Sequence, residues 1–249
     1  MPAARRSTGP ALAADRDRST APLAALDAEV VACRRCPRLV DWRERVASEK
    51  RAAFVDQEYW GRPITGFGDA AARILVLGLA PAAHGGNRTG RVFTGDRSGD
   101  WLFASMWRCG LANQPQSVSR DDGLELLGAY VTAAVRCAPP ANKPLPAERD
   151  ACFPYLLREL ELLREVRVVV CLGGFAWEAA LRARTALGEP VPRPRPRFGH
   201  GAELASPGRL ALLGCYHPSQ QNTFTGRLTE PMIDAVFMRA RELAELGAP

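Results

Sequence analysis

Four cysteines are spaced so that they could share one site. Cys33 and Cys36 form a C-x2-C pair with proline after the second, and Cys137 and Cys152 follow with 14 residues between them. Four thiolates suit a [4Fe–4S] cluster or a tetrahedral zinc ion. Zinc sites often use two C-x2-C knuckles; the wide split of the second pair favours iron–sulfur. The alternative is that Cys137 and Cys152 are small buried apolar residues. Cys109, Cys171 and Cys215 lie in apolar surroundings and read as core thiols. Seven cysteines is an odd number, and no export signal is expected, since residues 1–21 lack the apolar middle segment of one. That argues against a disulfide framework and for reduced thiols or a metal.

Two loops carry the rest of the chemistry. The first, GLAPAAHGGNRTGRVFTGDRSGD, runs from Gly78 to Asp100. Its glycines let backbone approach a ligand closely, and backbone N–H groups can face an anion. It has no GK[ST], so it is not a Walker A loop, and no G-x-G-x-x-G, so it is not a dinucleotide fingerprint. It contains His84, Phe93 and Asp96; taken alone, Asp96 reads as a helix cap or turn residue and Phe93 as core. The second loop, CYHPSQQNTFTGRLT, runs from Cys215 to Thr229. His217, one of three histidines, stands beside Pro218, where the chain must turn. Ser219, Gln220, Gln221, Asn222 and Thr223 follow, then Phe224 and Arg227. Hydroxyls, amides and arginine are good partners for phosphates and base edges.

Both loops need a scaffold. Four apolar runs read as strands: Ile74–Leu79, Tyr130–Val135, Val166–Leu172 and Leu210–Tyr216. Three are near-continuous in Val, Ile and Leu, as in strands buried on both faces. Helices are predicted over Trp101–Gly110, Ala147–Glu165, Phe175–Leu187 and Glu230–Leu246. Strand–helix alternation predicts a three-layer α/β/α sandwich with a central four-stranded, mainly parallel sheet. Right-handed crossovers then gather the loops after the strands along one edge. Two further helices, Pro22–Ala32 and Cys36–Lys50, precede the first strand. Tyr59–Gly68 reads as a loop. The Pro-rich stretch Pro190–Gly201, with Arg193, Arg195 and Arg197, reads as an extended surface loop.

The chain has 249 residues, 47% of them apolar and 24% charged, which excludes wholesale disorder. It is long enough for one domain with a proper core, expected over residues 22–249. Residues 1–21 are rich in Ala, Arg, Ser and Asp and are expected to be a disordered tail. No run of about 18 apolar residues occurs, so no membrane span is expected, and a cytoplasmic location is. The formal charge of +6 permits a polyanionic partner without specifying one.

The two loops, together with RCAPPANKP at Arg136–Pro144 and the four cysteines, resemble the uracil-DNA glycosylase superfamily, and within it the type B branch, often called family 5. The resemblance runs in order from about Cys33 to the C-terminus. It implies a structural [4Fe–4S] cluster on Cys33, Cys36, Cys137 and Cys152, and no nucleotide cofactor. It implies an enzyme that flips uracil, or another deaminated base such as hypoxanthine or xanthine, out of DNA. Hydrolysis of the N-glycosidic bond would leave an abasic site and initiate base excision repair. The partner is then DNA carrying such bases; a monomer is expected, with downstream repair proteins receiving the product.

By the same resemblance, Gly78, Leu79, Ala80, Pro81, His84 and Gly85 form the pocket rim. Many relatives place Asp, Asn or Glu in this motif to position water, whereas this chain offers Leu79 and Ala80. Asp96 is the nearest carboxylate and becomes the expected water-activating residue. Phe93 would stack on the flipped base, and His217 would donate to the base oxygen. Asn142 is a second contact to base or water. Thr132 stands near where some relatives read uracil with an Asn. Ser219, Gln220, Gln221, Asn222 and Arg227 belong to the loop that enters the duplex, and Arg88 and Arg91 are expected on phosphates. Two other functions suit the same fold. One is a non-catalytic iron–sulfur DNA-binding protein or sensor. The other is a phosphate-handling enzyme, disfavoured by the missing phosphate-loop lysine.

Overall fold

The computed structural model describes residues 10–205 and 208–245, with side chains from Ala21 onward. The elements follow in the order α1 (Pro10–Val31), α2 (Pro37–Glu49), β1 (Phe67–Gly68), β2 (Ile74–Gly78), α3 (Gly86–Thr89), α4 (Arg97–Arg108), β3 (Ala129–Ala133), α5 (Pro146–Leu162), β4 (Val168–Leu172), α6 (Gly174–Ala186), β5 (Glu203–Leu204), β6 (Ala211–Cys215), α7 (Gln220–Phe224) and α8 (Glu230–Leu243).

All four apolar runs are strands. They lie side by side and parallel in the order β3-β2-β4-β6. β2, β3 and β4 are buried at every position, which is why β2 and β4 read as unbroken apolar runs. The sheet has six strands rather than the four expected. β1 pairs antiparallel with β3 on one edge, and β5 with β6 on the other. Each is two residues long, too short to show a period-2 pattern.

Successive strand residues feed two cores. Ile74, Val76, Val131, Val168, Val170 and Leu213 meet Phe103 and Met106 of α4 and Ile233 and Phe237 of α8. Leu75, Leu77, Val169, Cys171 and Leu212 meet Leu156 and Leu160 of α5 and Trp177 and Leu181 of α6. The chain leaves β2 to one side for β3, then crosses back to β4. Reversing direction puts the crossover helices on opposite faces and opens a crevice at the strands' C-terminal ends.

The segment expected as a disordered tail is helical from Pro10, and residues 1–9 lie outside the described residues. Its alanines favour helix, and proline is tolerated at a first helical position. The Pro190–Gly201 stretch forms neither helix nor strand, as expected. Trp177 fastens it, donating from Nε1 to the Pro196 carbonyl at 3.0 Å. Among the described residues, no helix is long and apolar enough to cross a membrane.

Candidate active site and cysteine centre

In the loop after β2, Phe93 is 7% exposed, with its backbone in the left-handed region at φ 52°. For a bulky residue this costs about 1–3 kcal/mol and persists only where the surroundings impose it. Its ring lies over Gly78 at the end of β2, where a Cβ would sit 2.6–2.7 Å from two ring carbons. Only glycine leaves room there. Its other ring neighbour is His217, just past β6, with ring centroids 5.8 Å apart and planes tilted by 36°. The strand ends thus bring together three residues that are far apart in the chain.

Asp96 caps α4. Its Oδ1 accepts from the Gly99 N–H at 3.1 Å, so the plain capping role is realised. Oδ2 faces Gly85, where any Cβ would overlap it. Burial raises the Asp96 pKa against the pull of the Gly99 and Ser98 N–H groups. A raised carboxyl with one oxygen uncommitted to the cap is suited to taking a proton from water. Burial also lowers His217 to about 4, so its imidazole is neutral at physiological pH. No protein hydrogen bond to its ring nitrogens is present among the described residues. The turn that presents it is braced instead: Asn222 donates from Nδ2 to the His217 carbonyl at 2.8 Å, and Ser219 caps α7.

The other expected rim and DNA residues divide sharply. His84 meets the Tyr59 hydroxyl at 3.0 Å through Nδ1. Arg88 is spent inside the loop, donating to the His84 and Gly95 carbonyls and to Gln57, and stacking 4.0 Å over Phe54. Arg91 is not placed to hold a phosphate. It is 5% exposed and donates to Thr94, Ser117, the Arg120 carbonyl and Asp122. Although Asp122 is partly desolvated, the Arg91 guanidinium and three backbone N–H groups hold its carboxyl at about 2. Thr132 is wholly buried and turned to the α5 side, where Oγ1 accepts from Arg136 at 2.5 Å. Arg136 in turn grips Glu159 at 2.7 Å, both side chains 2% exposed. Thr132 therefore faces away from the Phe93 side of the sheet. Asn142 is exposed on a short 3-10 turn with φ 55°, and among the described residues no hydrogen bond joins it to Phe93 or His217.

Gln220, Gln221, Phe224 and Arg227 are exposed around α7, Phe224 by 65%. Arg97 stacks 4.7 Å over Phe224, and Arg227 4.5 Å over Tyr216. Sequence reasoning missed Tyr59 and Arg97. The first lies in the stretch read as a loop, and the second is one arginine among many. A cavity of about 820 Å³ opens elsewhere, beside Trp60 and α2, and none of the expected base-contacting residues lines it.

The four cysteines converge beside this edge. The ladder between β2 and β3 continues through Ala134 N–H to Gly78 and Val135 N–H to Leu79. This carries Ala80 against an apolar cluster of Leu39, Val135, Cys36, Cys137 and Cys152. Cys33 adjoins through the Tyr155 hydroxyl. All are free thiols. Burial pushes Cys137 up to about 12, and the charges of Cys152, Cys33 and Cys36 add to it. Among the described residues, no group of three or more His, Cys, Asp or Glu is placed to hold a single metal ion. A four-iron cluster asks for something different: each thiolate binds its own iron, so the sulfurs stand further apart than around one zinc. The donor chemistry fits such a group, with four free thiols near one another and a buried guanidinium, Arg43, beside them. Cys109, Cys171 and Cys215 are buried elsewhere, as expected of core thiols.

Residues 65–241 match the model of the uracil DNA glycosylase superfamily. The chain is 57% identical over 220 residues to a type-5 uracil-DNA glycosylase of Mycobacterium bovis, covering 88% of this chain and 81% of that one. It is 53% identical over 217 residues to a type-5 uracil-DNA glycosylase of Thermus thermophilus, covering 87% and 96%. A third, from Pyrobaculum aerophilum, is 47% identical over 214 residues, covering 85% and 88%.

Proposed function

The chain belongs to the uracil-DNA glycosylase superfamily, and from that premise we propose that it is a DNA glycosylase that removes uracil from DNA. Hypoxanthine and xanthine are further proposed substrates, and the abasic product places the enzyme at the start of base excision repair. The observation that carries this reading is Phe93, held in a strained conformation beneath His217 at the sheet's C-terminal edge.

The reaction separates charge: the sugar turns oxocarbenium-like while the leaving base becomes an anion. A flipped base stacks on Phe93, which repays part of the few kcal/mol that extrusion costs. His217, neutral and with no protein hydrogen bond to its ring nitrogens among the described residues, donates an N–H to the base oxygen as charge develops there. A neutral donor holds its own proton and needs no counter-charge. Asp96 orients the attacking water and takes its proton, while its negative charge favours the cationic sugar. Leu79 and Ala80 leave no polar group at the end of β2 to do this. Neither Arg88 nor Arg91 reaches for phosphate, so the proposed duplex contacts fall to Gln220, Gln221, Phe224, Arg227 and Arg97.

Cys33, Cys36, Cys137 and Cys152 would hold a [4Fe–4S] cluster. Its role would be structural, fastening the N-terminal helices to the loop after β3. Colourless anaerobically purified protein that contains zinc and no iron would overturn that assignment.

The test is abasic-site formation on oligonucleotides carrying uracil, hypoxanthine or xanthine, wild type against Asp96→Asn. Release from wild type and a loss of about 10²–10⁴-fold in the variant are expected. The acid limb of kcat/KM should lie above an ordinary aspartate's 3.8, because burial raises Asp96, and should vanish in Asp96→Asn. A protein that binds these oligonucleotides and releases no base is the non-catalytic sensor instead.

A further inference from the structure

Arg43, on α2, is 2% exposed. A buried guanidinium needs acceptors for its N–H groups and a negative charge nearby. Nη1 donates to Cys137 Sγ at 3.5 Å and Nη2 to the Cys33 carbonyl at 3.4 Å. Nε is buried with no acceptor among the described residues. Glu44 stands 3.6 Å away, but it is 44% exposed and its carboxylate is gripped by both Nη groups of Arg34. The nearest buried acceptor with the capacity for negative charge is therefore a cysteine sulfur. The same residue faces the other way through its backbone. The Arg43 carbonyl accepts from Asn87 Nδ2 at 3.2 Å. Asn87 is wholly buried in α3, and its own carbonyl accepts from the Gly61 N–H at 3.0 Å. α3 lies in the loop that carries Gly85, Phe93 and Asp96.

We propose that Arg43 is a positioning residue with two tasks: it balances the negative charge of the four-thiolate centre, and it ties that centre to the base-pocket loop through Asn87. The first task rests on the cluster reading above. Four thiolates bound to one metal group leave it anionic in a low-dielectric place, where an uncompensated charge is costly. The N–H on Cys137 Sγ also withdraws electron density from the ligand, which favours the reduced, more negative state of the centre. Lysine would keep the charge but cannot reach Cys137 Sγ and the Cys33 carbonyl together with a planar fork.

Wild type, Arg43→Gln, Arg43→Lys and Asn87→Ala, purified anaerobically, are compared for metal content, metal release to a chelator and midpoint potential. Arg43→Gln should release iron roughly tenfold faster than wild type, the order expected of a lost outer-sphere partner. Its midpoint potential should fall, since the reduced centre loses its neighbouring cation. Arg43→Lys should recover the potential but only part of the retention. Asn87→Ala should leave the potential unchanged while slowing base release. Wild-type release and potential in Arg43→Gln overturn the proposal; so does an Asn87→Ala variant with unaltered base release, for the second task. If Arg43→Gln does not fold, the same retention and potential are read from Arg43→Lys, where wild-type values in both overturn the proposal. Wild type holding zinc and no iron would sink the cluster reading alone. Arg43 would then be judged by zinc release, faster in Arg43→Gln if it balances the thiolates and unchanged if it does not.

Discussion

The loops after β2 and β6 both present arginine, amide and hydroxyl groups at the same sheet edge, yet they use them in opposite ways. In the loop after β2, Arg88 and Arg91 have acceptors within the protein for every guanidinium nitrogen. After β6, Ser219, Asn222, Thr223 and Thr225 are spent on the turn, while Gln220, Gln221, Phe224 and Arg227 face solvent. A donor already satisfied cannot hold a phosphate without breaking what it holds. Arg88 and Arg91 are consumed in bracing the first loop, which carries the strained Phe93 and the capping Asp96. The second is left free to meet DNA.

This contrast is breakable. Arg91→Ala leaves Asp122 buried without its partner, and a loss of about 3–5 kcal/mol is expected in urea unfolding. The salt dependence of DNA binding should not change; a shallower salt slope with unaltered stability would place Arg91 on phosphate after all. His217→Ala should slow single-turnover base release at saturating DNA by about 10²–10³-fold, with a smaller effect on binding. Equal losses in both would make His217 a packing residue for Phe93. Phe224→Ala should weaken DNA binding by about 1–3 kcal/mol if its ring stacks on a base. Arg227→Ala should flatten the salt slope by about one unit and do little else. An unchanged slope would remove Arg227 from the interface.

A pH measurement sharpens the same picture. His217 falls from an ordinary 6.5 to about 4 through burial. Its protonated form is favoured in the unfolded chain, so the native state loses stability as pH drops from 6.5 toward 4 and loses no more below that. The urea midpoint of wild type should therefore fall more steeply over this window than that of His217→Gln. Parallel curves would mean that the ring is solvated.

Much of the fold was legible. The four parallel strands stood out because strands buried on both faces carry continuous Val, Ile and Leu. β1 and β5 were not, since two residues hold no pattern and their pairing is decided by neighbours. Phe93, His217 and Asp96 were legible as residue types at loop positions. Their orientation was not. Thr132 illustrates the limit: one step along a strand turns a side chain to the opposite face, and its hydroxyl meets Arg136 instead of the pocket. Arg43 was silent, one arginine in a helix until burial singled it out.

The residue order alone determined the layered α/β/α plan and the two loops at one sheet edge, which follow from periodicity and spacing, both local properties. Setting four cysteines apart from three core thiols rested on the family resemblance. Which arginines would be consumed and which left free, which face Thr132 would take, and that Arg43 would lie between the cysteines and the base-pocket loop were decided only by the tertiary structure. Burial and hydrogen-bond satisfaction depend on partners distant in sequence, and no local pattern encodes them.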